Sequence, residues 1–427
     1  MLAHSPPLPL IIDHNDDLTA EDEEGIILAL QHRERVRRIR LVMPVSSLQK
    51  LITAIDDEFP ALEFLYLGPP TKHGSRLILP SKIGAPHLRH LMLNYFASPI
   101  GSRLLTTAVG LVRLFLRWIH PSTYPHPNHL LQQLSLLPQL ERLGIGFFSP
   151  VPNHGLERQL SNTPIMTHAT LPNIRRLIFY GDSGYLEALL SHMTTPLLER
   201  LGIQFLDQRN FSVPRLLQFM KTTENLRFSG AASAIFVFYH RAVSAFVFSP
   251  TGASLDIEVT SGHLDGQVSS MAQIFRVLSP LFSAVVNLTL DYREHTLWHN
   301  QADRTRWLEL LGSFRNVKTL RVHNGLVGEV SRSLLLDGED PLELLPELNE
   351  LICPQGSHDN RTFAAFIHER EAAGQPVKLI EKAFPVGRTD YRFDTSAGVV
   401  RVNADPTAAG GQAVKVTRPT PTATPGA

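Results

Sequence analysis

One short phrase recurs along this chain and constrains its fold more than any other feature. The phrase is apolar-x-x-apolar-x-apolar, often with proline two residues before the first apolar position. It reads PALEFLYL at Pro60–Leu67, PHLRHLML at Pro86–Leu93, PQLERLGI at Pro138–Ile145, PNIRRLIF at Pro172–Phe179, PLLERLGI at Pro196–Ile203 and PELNELIC at Pro346–Cys353. Versions without the proline occur at Val36/Ile39/Leu41, Leu111/Leu114/Leu116, Val285/Leu288/Leu290 and Val317/Leu320/Val322, with a weaker one at Val243/Phe246/Phe248. The first anchors fall at positions 36, 62, 88, 111, 140, 174 and 198, with spacings of 26, 26, 23, 29, 34 and 24 residues. Leucine-rich repeats run at roughly 20–29 residues.

The phrase has a physical meaning. Leu65 and Leu67 alternate with Phe64 and Tyr66, as in a short strand with one buried face. Between phrases the period becomes helical. Leu48, Leu51, Ile52 and Ile55 share one helix face, and Ser46 with Gln49 has capping-box spacing. Leu186, Leu189, Leu190 and Met193 repeat the pattern behind Ser183, and Trp307, Leu310, Leu311 and Phe314 do so after Asp303. Phe363, Phe366 and Ile367 follow near the end, and Thr19–Arg35 reads as a helix capped by Thr19 with Asp22 three residues on. One strand–turn–helix–turn unit cannot bury its own apolar faces, but stacked units share a core.

The predicted fold is therefore α/β: a leucine-rich-repeat-like curved solenoid with parallel strands on the concave face and helices on the convex face. A doubly wound α/β domain is the alternative, with longer strands and less regular spacing. Residues 1–18 read as a proline-rich lead-in, 19–384 as the solenoid and 385–427, ending TRPTPTATPGA, as a largely disordered tail. Asn225–Val259 carries strand-like runs at Ile235–Phe238 and Ala245–Phe248 without a clear helix, which suggests a hairpin insertion or strand-only units. Pro121–Asn128 and Phe147–Thr170 read as loops.

Composition narrows the partners. With 43% hydrophobic and 19% charged residues among 427, the chain is a folding one. Lys+Arg and Asp+Glu both number 40, so the basic excess of a nucleic-acid binder is missing and no nucleic acid is expected. The single cysteine, Cys353, suits a reducing compartment. The N-terminus lacks the basic start and long apolar stretch of a secretory signal. The most apolar region, Ala231–Pro250, is broken by Tyr239, His240 and Arg241, so no membrane span is expected. The expected address is cytoplasmic or nuclear.

The segments at Leu18–Leu67, KIGAPHLRHLML at Lys82–Leu93, LLPQLERLGIGF at Leu136–Phe147, SPLFSAVVNLTL at Ser279–Leu290, SFRNVKTLRVHNGLVGEVSRSLLLD at Ser313–Asp337 and LELLPELNELICP at Leu342–Pro354 together resemble the fungal F-box proteins with degenerate leucine-rich repeats. The resemblance spans about Leu8 to Ala373. It implies a substrate-recognition part of a Skp-cullin ubiquitin ligase, in which an F-box ahead of the repeats binds a Skp adaptor. No F-box is read ahead of Thr19, so the Skp adaptor is an expected partner only if that module lies upstream. A ligase-independent protein-interaction scaffold is the alternative.

Candidate chemistry is sparse. Asp13-x-Asn15-x-Asp17 opens like a calcium loop, but Leu18 stands where the loop needs glycine, and it reads as an acidic turn before a helix. His120, His126 and His129 read as solvated loop histidines rather than zinc ligands. Cys353 fills a position taken elsewhere by Leu, Ile or Phe and reads as a buried structural thiol. Gly144-x-Gly146 is too short for a dinucleotide fingerprint, and Gly181-Asp-Ser183-Gly184 fails as a nucleophile elbow. Arg33, Arg35, Arg37, Arg38 and Arg40 read as solvated arginines around a strand, suited to an acidic partner. No catalytic residue, cofactor or metal is predicted, and the chain is read as a binding protein rather than an enzyme. An enzyme would need a pocket of converging titratable groups. The predicted contacts with an unknown protein target are outward positions of the phrase: Glu63, Arg89, Glu141, Arg175 and Glu199.

Overall fold

The computed structural model describes residues 8–15, 19–70, 77–149, 165–206, 208, 210–293, 302–323, 325–334, 344–354 and 360–382. The acidic turn at 16–18, most of the lead-in, most of the 147–170 loop and the tail at 385–427 lie outside the described residues. The chain divides into two units after Lys382. Every strand and helix among the described residues belongs to the first unit.

Strands come in chain order as β1 (Leu10–His14), β2 (Val36–Val42), β3 (Phe64–Gly68), β4 (His90–Asn94), β5 (Arg113–Ile119), β6 (Arg142–Phe147), β7 (Ala169–Thr170), β8 (Arg176–Gly181), β9 (Met193–Thr194) and β10 (Arg200–Phe205). Then come β11 (Ala232–Phe238), β12 (Ala242–Phe248), β13 (Ser254–Thr260), β14 (Val285–Tyr292), β15 (Thr319–Val322), β16 (Glu350–Pro354) and β17 (Lys378–Lys382). Helices between them are α1 (Ala20–Leu30), α2 (Val45–Ala54), α3 (Arg103–Thr107), α4 (Pro127–Ser135), α5 (Ser183–Leu190), α6 (Pro214–Thr222), α7 (Leu264–Leu278), α8 (Arg304–Leu311), α9 (Val327–Leu334) and α10 (Asn360–Ala372).

All strands but β7 and β9 form one open sheet of 15 strands, and those two pair with each other. From β1 to β10 the sheet follows chain order with every pair parallel. The repeats stand in matching register. Ile39, Leu65, Leu91, Leu114, Leu143, Leu177 and Leu201 are successive cross-strand partners, and Leu41, Leu67, Leu93, Leu116, Ile145, Phe179 and Ile203 form the next row. Leu62, Leu88, Leu111, Leu140, Ile174 and Leu198, the first anchors, join both rows in one continuous core, together with the buried faces of the helices. Period-two alternation thus commits every second strand residue to the core and leaves its neighbours on the other face.

The array is interrupted once. After β10 the chain bypasses two strand positions, enters β11, then runs back through antiparallel β12 and β13 until β13 pairs parallel with β10. The return to β14, which pairs parallel with β11, carries α7 across this meander, where Phe275 packs on Phe236 with ring centroids 4.9 Å apart. The expected strand-like insertion is therefore part of the main sheet. It has a third strand, Ser254–Thr260, beyond the two apolar runs that stand out in the sequence.

Several local expectations are refined. Thr19 caps α1 in a capping box with Asp22, but the helix ends at Leu30, not Arg35. Ser46 does not cap α2, which starts at Val45 behind Pro44 and has no side-chain cap. The cap of α5 is Asp182, whose carboxylate accepts from the amides of Gly184 and Tyr185, and Met193 lies in β9 beyond the helix. Asp303 caps α8 as its position suggested. Pro121–Asn128 is more ordered than a loop: a 3-10 turn at Pro121–Thr123, then the start of α4 at Pro127, where proline suits the first helical turn.

Candidate functional site

The sheet face opposite the core is where polar and aromatic side chains gather. The predicted contacts lie just outside its strands. Glu63, Arg89, Glu141, Arg175 and Glu199 each fall one residue ahead of a strand. Their backbones, with Arg37 and Val112, form a hydrogen-bonded ladder that runs along one end of the sheet. Arg175 donates to Glu199 at 2.7 Å, and Arg37 lies 3.8 Å from Glu63. Glu63 and Arg37 also line an open hollow with Glu34 and His87.

One residue further along each phrase, the open face begins. Its first row is Arg38, Phe64, His90, Arg113, Arg142, Arg176, Arg200 and Ser254, each the cross-strand partner of the next. At the β2 end the cations have carboxylate partners, although Arg38 Nε is buried without a hydrogen bond. Asp13 pairs with Arg40 at 3.0 Å and Arg38 at 3.6 Å. The Arg38 guanidinium also sits 4.3 Å from the centroid of the Phe64 ring. Arg33 pairs with Asp57, and Arg35 donates to the Leu8 carbonyl at 3.1 Å. The arginine run from Arg33 to Arg40, expected to suit an acidic partner, is therefore largely spent inside the chain.

The middle of the row differs. Arg113, Arg142, Arg176 and Arg200 stand on four neighbouring strands, and the first three form no ion pair among the described residues. Burial lowers the pKa of Arg142 and Arg176 from the usual arginine value; neighbouring arginines push the same way, against the pull of Glu141 on Arg142 and of Asp256 on Arg176. His90, next in the row, is held below its ordinary value first by burial and then by Arg113. Beyond Arg200, β13 turns acidic. Asp256 is pushed up to about 6 by burial, against the pull of Arg176 and Arg200. Glu258 is also raised by burial, while it accepts from Gln204 Nε2 at 2.7 Å and from Ser244 Oγ at 3.3 Å.

At the other end of these strands lies an aromatic shelf. Trp118 stacks between Tyr95 (centroids 6.1 Å, 17°) and Tyr180 (6.3 Å, 19°), and Phe148 meets Tyr95 edge-on at 6.2 Å. Trp118 and Tyr180 come from strands separated by β6, and Gly146 of β6 lies beneath the approach: a Cβ there would sit 2.9 Å from Tyr180 Cδ2. Gly144 likewise seats Phe115, whose ring an added Cβ would overlap. The Gly144-x-Gly146 pair thus makes seats for aromatic rings. Tyr95 and Trp118 both adopt left-handed backbone, with φ of 64° and 59°. Such conformations are costly for bulky residues and concentrate at functional positions.

The loop histidines have local roles. His120 Nδ1 accepts from the Ser122 amide and His126 Nδ1 from the Asn128 amide, so both cap the turns they precede. His126 and His129 rings lie 5.9 Å apart. No group of three or more metal-ligating side chains is found among the described residues. Cys353 is buried at the end of β16, and burial raises its thiol pKa. No helix of the described residues is long and apolar enough to cross a membrane.

The arginine row has a signal in the sequence: the phrases VRLFL, ERLGI, RRLIF and ERLGI each place arginine directly before the first strand leucine. The predicted contacts sit one position earlier. Neither a family model nor a curated protein matches the chain.

Proposed function

We propose that this chain is a protein-recognition scaffold that works by binding rather than by chemistry. In this reading the sheet is the concave wall of a leucine-rich-repeat-like solenoid, with helices on its convex side. The protein is similar in design to the substrate-recognition part of an F-box subunit of a Skp-cullin ubiquitin ligase. The observation that supports it is the stacking of one phrase in register over strand after strand, with the alternate residues forming a wide face of charge and aromatic rings instead of a cleft. Such a face is suited to holding a protein target. The ligase role would act by raising the local concentration of that target beside the ligase.

The test is affinity capture of the protein at its native level, beside a variant with Arg142→Glu and Arg176→Glu. Capture of a second protein with the unaltered form only is the expected result, together with a Skp adaptor on both forms if an F-box lies upstream of this chain. A face-dependent partner without a Skp adaptor would replace the ligase role with a ligase-independent scaffold. Identical partners for both forms, with both folded, would overturn recognition through this face.

A further inference from the structure

The four arginines are supplied by four repeats at one register position, so their backbones are about 4.8 Å apart from strand to strand. Like charges placed directly across neighbouring strands destabilise a sheet. Elsewhere on this face the cations have partners: Asp13 serves Arg38 and Arg40. In the middle of the row, Arg113, Arg142 and Arg176 have no ion pair among the described residues, and only the less direct attraction of Glu141 on Arg142 and of Asp256 on Arg176 opposes their repulsion. Arg113 Nε and His90 Nδ1 are buried without a hydrogen-bond partner, as is Arg38 Nε at the paired end. The fold therefore carries a repulsion that a ligand of opposite charge would relieve.

We infer that the face over β5, β6, β8 and β10 binds an acidic, extended peptide segment that crosses the strands, with Asp or Glu carboxylates set against Arg113, Arg142, Arg176 and Arg200. This rests on the protein-recognition reading above and names the chemistry of its target. Guanidinium groups match carboxylates in geometry as well as charge. The row offers one positive charge per strand step, which suits singly charged carboxylates spread along a chain better than clustered dianions. Beyond Arg200 the row ends on Ser254, with Asp256 and Glu258 further along the same strand, so the run of cations stops after four steps, which suits a short peptide better than a continuing nucleic-acid strand. The shelf of Tyr95, Trp118 and Phe148 at the far ends of the strands would take an apolar residue of the same segment.

The probe is a fluorescein-labelled dodecapeptide with one Trp and alternating Glu, measured by fluorescence anisotropy with the full chain. Comparison probes carry Gln for every Glu, or phosphoserine for every Glu, and a fourth is oligo(U). The expected result is saturable binding of the Glu peptide that weakens with salt, with at least tenfold loss for the Gln peptide. The Arg142→Gln/Arg176→Gln variant should also lose at least tenfold while unfolding at the same or a higher temperature than the unaltered protein. Arg38→Gln/Arg40→Gln, where the charges are already paired, should bind as the unaltered protein does. Equal binding of the Glu and Gln peptides, no effect of the Arg142/Arg176 variant, or binding confined to the phosphopeptide or to oligo(U) would overturn the inference. If the Glu peptide fails while a face-dependent partner is still captured, the acidic chemistry falls and protein recognition stands.

Discussion

At the residue scale, Asp256 links charge on the open face to pH. It neighbours Arg200 from β10, Arg176 and Tyr180 from β8, Phe246 from β12, and Glu258 on its own strand. Its pKa is raised to about 6 by burial, so its contribution to stability is fully present below the unfolded value near 3.8 and is lost as pH rises through about 6. Asp256→Asn should flatten the pH dependence of the unfolding midpoint between those values. Protonation also removes a negative charge beside Arg176 and Arg200. Acidic-peptide affinity should therefore rise as pH falls from 7 toward 5.5, and Asp256→Asn should show the stronger affinity across that range. A second residue-scale prediction concerns Gly144, where an added Cβ would overlap Phe115. Gly144→Ala should cost about 1–3 kcal/mol in urea unfolding, the usual range for overpacking, and adding Phe115→Leu should recover part of the loss. A Gly144→Ala variant as stable as the unaltered protein would show that the ring does not depend on that seat.

At the scale of elements, α1 shows how far a local signal reaches. Thr19 Oγ1 accepts from the Asp22 amide at 3.1 Å, completing a cap at an exposed helix start. Thr19→Ala should destabilise the protein by about 1 kcal/mol, with faster amide exchange confined to residues 20–30. A global change in exchange would mean that α1 is not an independent margin of the array. Strands and core were legible in the sequence because Leu65, Leu91, Leu143 and Leu201 repeat a pattern whose only use is burial on one side. Helix ends were less legible: Ser46 has the right spacing for a cap, but Pro44 already sets the extended backbone that starts α2. The β11–β13 meander was half legible, since its strands are apolar runs but nothing local says that they run backwards between β10 and β14. The predicted contacts lie one position ahead of the arginine row. Burial has a loud signature in sequence, whereas the choice between the two outward positions depends on where each strand begins.

At the scale of the whole first unit, stability should follow a chain of neighbours rather than one central core, as expected of stacked repeats. The margins differ from the middle. Ile11 of β1 is 67% exposed, and Lys378, Glu381 and Lys382 of β17 are exposed while Leu379 and Ile380 are only half-buried. The main-sheet strands from β5 to β14 are flanked on both sides. Hydrogen exchange should accordingly be slowest in β6, β8, β10 and the meander and fastest in β1 and β17. Uniform protection across all of these strands would contradict neighbour-by-neighbour stability. The alternation of each strand has a further consequence for how such a molecule diverges. Leucines that hold the array and side chains of the open face occupy interleaved positions of the same five or six residues, yet they touch different surroundings. If the open face binds as proposed, mutation can rewrite what is bound one strand at a time while the spine is inherited unchanged, so that two descendants of one ancestor would hold unrelated targets on nearly superimposable backbones.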